Sequence, residues 1–180
     1  MDELVKAAMA KWPHVPDCYG WLGLDARGRW WMRDDRAQMM GPFSGAGASM
    51  ASRGSWLQHE QLIAFIHRNY GVDEQGCWYF QNGPQRVYVE LEKAPYIWRL
   101  EGSDRLRSHN GVETVSERVY VDENGNVYAA TAIGCGIVHT QDMHRVAEWI
   151  EAGLWSPQEK TLQEIQQREG YVMSPQQLAG

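Results

Sequence analysis

YGVDEQGCWYFQNGPQRVYVELEKAPYIWRLE, residues 70–101, decides the fold. It reads as three strands, at about 77–81, 86–92 and 96–101, separated by Asn82-Gly83-Pro84 and Lys93-Ala94-Pro95. A proline at a strand boundary costs no ladder hydrogen bond, so both interruptions are expected to be turns. Alternation puts Val87, Val89 and Leu91 on one face and Arg86, Tyr88, Glu90 and Glu92 on the other. In the third strand Tyr96, Trp98 and Leu100 oppose Ile97, Arg99 and Glu101. One buried and one solvated face follows, as in an ordinary antiparallel sheet.

Before this stretch, WLQHEQLIAFIHRNY (56–70) spaces Leu62, Ile63, Phe65, Ile66 and Tyr70 as one helix face, with Gly71 at its C-terminus. Residues 2–11 read as a short helix with Leu4, Val5, Ala8 and Met9 turned inward, ended by Pro13 and Pro16. A hairpin over 21–32 turns at Asp25-Ala26-Arg27-Gly28, and the Gly, Ala and Ser content of 40–55 marks a loop. Downstream, a second hairpin closes at Asp122-Glu123-Asn124-Gly125. Thr140 caps a helix to about residue 151, with Met143, Val146, Ala147 and Ile150 inward and Trp149 broadening that face. Ser156-Pro157-Gln158-Glu159 has the form of a capping box that starts a polar helix, and Ser174-Pro175 begins a last short turn.

The expected fold class is α+β, a mainly antiparallel sheet of hairpins with helices packed at the ends. Residues 1–155 are expected to form one domain, with two small β-rich lobes (1–101 and 102–155) as the alternative. Residues 156–180 are expected to be a polar helical tail. Arg86-Val87-Tyr88-Val89-Glu90 recurs as Arg118-Val119-Tyr120-Val121-Asp122, an echo whose flanks do not match.

Charge narrows the function. With 17 basic against 23 acidic side chains the net charge is −6 and no basic block stands out, so nucleic acid is not an expected partner. Three widely spaced cysteines without a CxxC fit a reducing compartment, and a cytoplasmic location is expected. The first residues are amphipathic and acidic, unlike a signal peptide, and no apolar run approaches the ~18 residues of a membrane span. Nine tryptophans supply either a dense core or a stacking surface for a ligand.

Two sets of residues carry candidate chemistry. Cys135 lies between Gly134 and Gly136 and precedes His139 and Asp142. A thiolate near a helix N-terminus, an imidazole base and an orienting carboxylate would make a thiol-dependent enzyme. A small buried cysteine at a strand end is the simpler alternative. The second set is Arg86, Tyr88 and Arg99 with Tyr120 and Tyr128, the residue types of a ligand-binding sheet face, although a solvated sheet face carries such residues too. The histidine spacings lack the i, i+4 pair of helical zinc sites, so neither a metal nor a cofactor is expected.

Lys11-Trp12-Pro13, Cys18-Tyr19-Gly20-Trp21-Leu22, Arg68-Asn69-Tyr70 and, above all, Phe80-Gln81-Asn82-Gly83-Pro84-Gln85-Arg86-Val87-Tyr88-Val89 carry a resemblance. On these residues the chain resembles a family of small uncharacterised proteobacterial proteins, a domain of unknown function, over most of 1–150. More distantly, its order of elements is similar to another uncharacterised bacterial family with two small β-rich lobes. The resemblances imply architecture and no catalytic residues. The functional expectation is a non-catalytic module binding a small molecule or a protein partner through the aromatic and arginine face. The alternatives are the Cys135 enzyme and a structural or assembly subunit, a homo-oligomer included, that uses the C-terminal helix.

Overall fold

The computed structural model describes residues 1–180 and is α+β, with two β-rich lobes. One compact unit contains residues 1–25, 29–92 and 172–180, and the other contains 26–28 and 93–171. The chain therefore leaves the first unit after Glu92 and re-enters it at Val172.

In the first unit the elements are α1 (Glu3–Lys11), β1 (Cys18–Leu24), β2 (Trp30–Met32), α2 (Asp35–Met39), α3 (Met50–Arg53), β3 (Ser55–Trp56), α4 (Glu60–Arg68), β4 (Tyr70–Val72), β5 (Trp78–Asn82) and β6 (Gln85–Leu91). Its sheet runs β3-β2-β1-β6-β5-β4. All neighbours are antiparallel except β1 and β6, which pair in parallel. Register fixes two faces. Cys18 pairs with Val87, Val87 with Phe80 and Phe80 with Tyr70, so these four form one row across the sheet. Leu22 pairs with both Met32 and Val89 on the same face. On the opposite face Tyr19 stacks on Tyr88 at 4.7 Å, and Tyr88 meets Tyr79 edge-on at 5.9 Å. Gly23 is also on that face because Phe43 lies over it: an added Cβ would sit 2.5 Å from the ring.

The second unit contains β7 (Tyr96–Glu101), β8 (Arg105–Ser108), β9 (Glu113–Val115), β10 (Arg118–Val121), β11 (Val127–Thr131), β12 (Gly134–Val138), a 3-10 turn at Thr140–Asp142, α5 (Met143–Glu151), β13 (Gln158–Glu159) and α6 (Leu162–Glu169). Its sheet runs β13-β10-β11-β12-β7-β8-β9, with parallel pairing between β10 and β13 and between β12 and β7. Gly136 makes room for Trp98, whose indole N–H donates to the Ala129 carbonyl at 2.9 Å. The chain ends in α7 (Pro175–Ala179), back in the first unit.

One turn design recurs. Asp25, Asp73 and Asp122 each open a hairpin of the form Asp-x-x-Gly, with Gly28, Gly76 and Gly125 at φ of 81°, 83° and 80°. A left-handed residue is required there, and glycine takes it without a Cβ penalty. Each aspartate also uses one carboxylate oxygen to accept the backbone N–H four residues on: Arg29, Cys77 and Asn126. The other oxygen takes a ring donor, Trp31 Nε1, Tyr88 Oη and Tyr128 Oη respectively. Asp25 and Asp122 are thus buried with both carboxylate oxygens bonded, as the cost of desolvation demands.

Several expectations are corrected. The strand over 96–101 does not extend the sheet of 78–91. Lys93-Ala94-Pro95 is the passage from one unit to the other, and β7 pairs with β12 and β8 instead. Ser156 starts no helix, because Gln158–Glu159 is drawn into parallel pairing with Tyr120 and Val121. The capping box is formed by Thr161 and Glu164. The loop at 40–55 contains the short α3 and β3. Leu4 points to solvent rather than inward, and on α5 Trp149 takes the buried place expected of Ile150.

Candidate functional site

A nine-residue helix cannot cover a six-stranded sheet. α4 has its Phe65 ring edge-on to Phe80 at 5.4 Å and buries Ile66, and its His67 accepts the Trp30 indole N–H at 2.9 Å. Burial pushes the His67 imidazole down to about 4, so it stays neutral and remains an acceptor. Beside α4 the face is open. A cleft of about 240 Å³ remains, lined by Cys18, Trp21 and Leu22 of β1, Met32 of β2, Leu62 and Ile66 of α4, Phe80 and Asn82 of β5, and Val87 of β6.

The register explains why these side chains converge. Cys18, Val87 and Phe80 form the row described above, and Leu22 and Met32 the next one. A register irregularity between Cys18 and Leu22 falls at Gly20, whose φ is +81°. Leu22, Ile66 and Phe80 form a buried floor, while Trp21 and Met32 are 39% and 42% exposed. No charged side chain lines the cleft. Asn82 is exposed at one edge, and burial pushes the Cys18 thiol up, so it presents a neutral S–H. The arrangement can desolvate an uncharged apolar group and offer it one amide. Its one thiol, Cys18, is held in the protonated form by burial.

The residues expected from the sequence lie elsewhere. Arg86 and Tyr88 are in the first unit, and Arg99, Tyr120 and Tyr128 are in the second. Tyr88, Tyr120 and Tyr128 are buried, with hydroxyls donated to Asp73, Glu169 and Asp122. Arg86 lies over the Tyr79 ring at 4.6 Å. Arg99 forks onto Asp142 at 2.7 and 2.9 Å. The solvated face expected of Arg86, Tyr88, Glu90 and Glu92 is corrected, since Tyr88 and Glu90 are buried beneath the returning C-terminal segment.

Cys135 is 3% exposed, and burial drives its thiol far above the ordinary range. Gly136 serves Trp98 rather than a substrate's approach. His139 caps the 3-10 turn, its Nδ1 accepting the Gln141 N–H at 3.1 Å. Asp142 takes Arg99 and the Leu100 N–H at 2.9 Å, and the Arg99 guanidinium holds its carboxyl below the usual range. Its oxygens are therefore engaged by β7 rather than by His139.

Sequence reasoning missed the cleft. The available signal was Trp21 and Met32, two large apolar side chains on paired strands, but alternation alone could not show that α4 stops short of them.

A family model, DUF2944, described as protein of unknown function (DUF2946), matches residues 1–178. No curated protein matches the chain. Among solved structures, it is similar to a DUF1285 family protein from Silicibacter pomeroyi DSS-3, with 13% identity over 82% of this chain and 84% of that one, and a TM-score of 0.48. A DUF1285 family protein from Shewanella baltica OS155 is similar at 12% identity over 71% of this chain and 91% of that one, with a TM-score of 0.42. No helix is long and apolar enough to cross a membrane.

Proposed function

Because the chain belongs to the family described as protein of unknown function (DUF2946), we propose its function from the site alone: a non-catalytic module that binds a small uncharged apolar molecule in the cleft beside α4. The observation that carries this reading is the half-exposed pair Trp21 and Met32 above a floor of Leu22, Ile66 and Phe80 with no charged side chain around it. Pockets for drug-sized ligands begin at about 300 Å³. At about 240 Å³ this cleft suits a single ring system or a short chain. The aromatic rim supports recognition by stacking, with Asn82 as the one polar determinant.

Thermal unfolding with and without indole or 1-octanol tests the proposal. Ligand that binds only the folded chain raises Tm with concentration. The rise is expected for the wild type and is expected to vanish in Val87→Phe, which fills the cleft. No rise, or an equal rise in the variant, would overturn the reading.

A further inference from the structure

On the sheet face opposite the cleft, residues 172–180 lie in a groove as a strap. The Val172 N–H donates to the Gly76 carbonyl at 2.9 Å, Val172 bridges Cys77 in parallel, and the Leu91 N–H donates to the Met173 carbonyl at 2.8 Å. The strap thus adds itself to the first unit by main-chain bonds, as extended peptides do when they join a sheet. Side chains then set the sequence. Ser174 Oγ donates to Glu90 Oε2 at 2.5 Å, and the Gln176 N–H donates to Glu90 Oε1 at 3.0 Å. Pro175 is buried, and with Leu178 and Ala179 it walls a small cavity of about 70 Å³ whose other lining includes Tyr19, Asp73, Cys77 and Tyr88.

Two observations set this segment apart from the body of the unit. Glu90 is 3% exposed, yet both of its hydrogen bonds come from the strap. A buried carboxylate whose hydrogen-bond donors all belong to one segment is a receptor for that segment, since the fold beneath it supplies the charge of Arg33 but no other donor. The helix of the strap depends on the groove: α7 has five residues, Pro175 is its only buried one, and so short a helix has no stability of its own in water, so its hold is the bonds to Glu90 and that of Gln176 Nε2 to Gln38 Oε1 at 2.9 Å. Such segments open locally while the sheet beneath them stays closed.

We propose that this groove is a peptide-recognition site occupied in cis by residues 172–180. Its partner in trans is an uncharged segment of the same chemistry, an extended apolar pair followed by Ser-Pro at the start of a helical turn. Glu90 reads the serine hydroxyl and the helix's first free N–H, Gly76 and Leu91 read the main chain, and the wall of Tyr19 and Tyr88 takes the proline and the leucine that follow. A charged residue in place of the serine is excluded by the buried carboxylate if it is acidic. The site is separate from the cleft, so the two readings stand or fall independently.

The test uses the full chain carrying Ser174→Asp, which sets a second carboxylate against Glu90 and releases the strap in cis. Fluorescently labelled YVMSPQQLAG, residues 171–180, is then titrated into it. The peptide is expected to bind Ser174→Asp at least about tenfold more tightly than the wild type, where the strap competes. Binding is expected to be lost when Glu90→Ala is added and when the peptide itself carries Ser174→Ala. Equal binding to wild type and variant, or none to either, would overturn the proposal. Hydrogen exchange on the wild type keeps it falsifiable should the variant not fold. The amides of Val172 and Gln176 are expected to exchange about a hundredfold or more faster than those of Tyr88 and Val89. Exchange of both sets at one common rate would make the strap an integral part of the unit and refute the proposal.

Discussion

Glu90 and Ser174 are 84 residues apart in sequence, and the serine hydroxyl meets the carboxylate at 2.5 Å in the interior of the first unit. The contact joins the C-terminal end of β6 to the N-cap of α7.

Burial raises the Glu90 carboxyl above its usual range, and the bonds from Ser174 and Gln176 and the charge of Arg33 offset this only in part. A raised folded-state pKa means that the folded chain binds the proton more tightly. The associated stability is complete below the unfolded pKa of about 4.3 and is lost as pH rises through the folded value. Glu90→Gln removes that titration. The variant is therefore expected to gain stability relative to wild type as pH rises from about 4 to about 7, measured by urea unfolding at each pH. A difference that is flat, or that falls with pH, would show that Glu90 does not titrate as its surroundings require.

The aspartate turns are expected to be costly to break. Asp122→Ala leaves the N–H groups of Asn124 and Asn126 and the buried Tyr128 hydroxyl without their acceptor, and Asp25→Ala does the same to Arg29 and Trp31. Each orphaned buried donor costs about 1–3 kcal/mol. Each variant is expected to lose about 2 kcal/mol or more in chemical denaturation. A loss below about 0.5 kcal/mol would place the anchoring in the glycine and the strands rather than in the carboxylate.

Two glycines are expected to be irreplaceable for packing reasons. A methyl at Gly136 would stand 2.4 Å from Trp98 Nε1, and one at Gly23 would stand 2.5 Å from Phe43. Overpacking of this kind costs about 1–3 kcal/mol. Gly23→Ala is expected to be partly rescued by Phe43→Leu, while Gly136→Ala is not, because Trp98 is fixed by its bond to Ala129. Unfolding of the single and double variants measures both.

Alkylation separates the three free thiols. Cys18 is partly exposed, whereas Cys77 and Cys135 are buried. Burial and the nearby Asp73 and Glu90 charges push the Cys77 thiol up to about 11. Iodoacetamide at neutral pH is expected to label Cys18 first and Cys135 only when the chain unfolds, read by peptide mass spectrometry. Rapid labelling of native Cys135 would revive the thiol-enzyme reading.

What was legible in the sequence was what short spacings determine. Asp-x-x-Gly marked the hairpins at 25–28 and 122–125, and both are turns in the structure, whereas the hairpin at 73–76 was hidden because Tyr70 continues the helical spacing of Leu62, Ile63, Phe65 and Ile66 although the helix stops at Arg68 and Tyr70–Val72 is a strand. Ser174-Pro175 began a helical turn, as its capping bond from Gln177 to Ser174 Oγ shows. Alternation in 96–101 gave a strand but could not say in which sheet, because it marks Trp98 and Leu100 as buried without naming the strand beside them, and the seat for Trp98 is Gly136, 38 residues on in β12. The strap was hidden because its hold is main-chain bonding and one carboxylate, so VMSPQQLAG looks like any polar tail. The cleft was hidden because it depends on how far α4 extends across β1 and β2, a matter of packing rather than pattern.

The most direct test of the binding reading is a map of backbone amide shifts for the labelled chain titrated with indole. The account predicts saturable changes concentrated at Cys18, Trp21, Met32, Leu62 and Val87, and their loss in Val87→Phe. Saturable shifts confined to other residues, or no shifts at all, would contradict it.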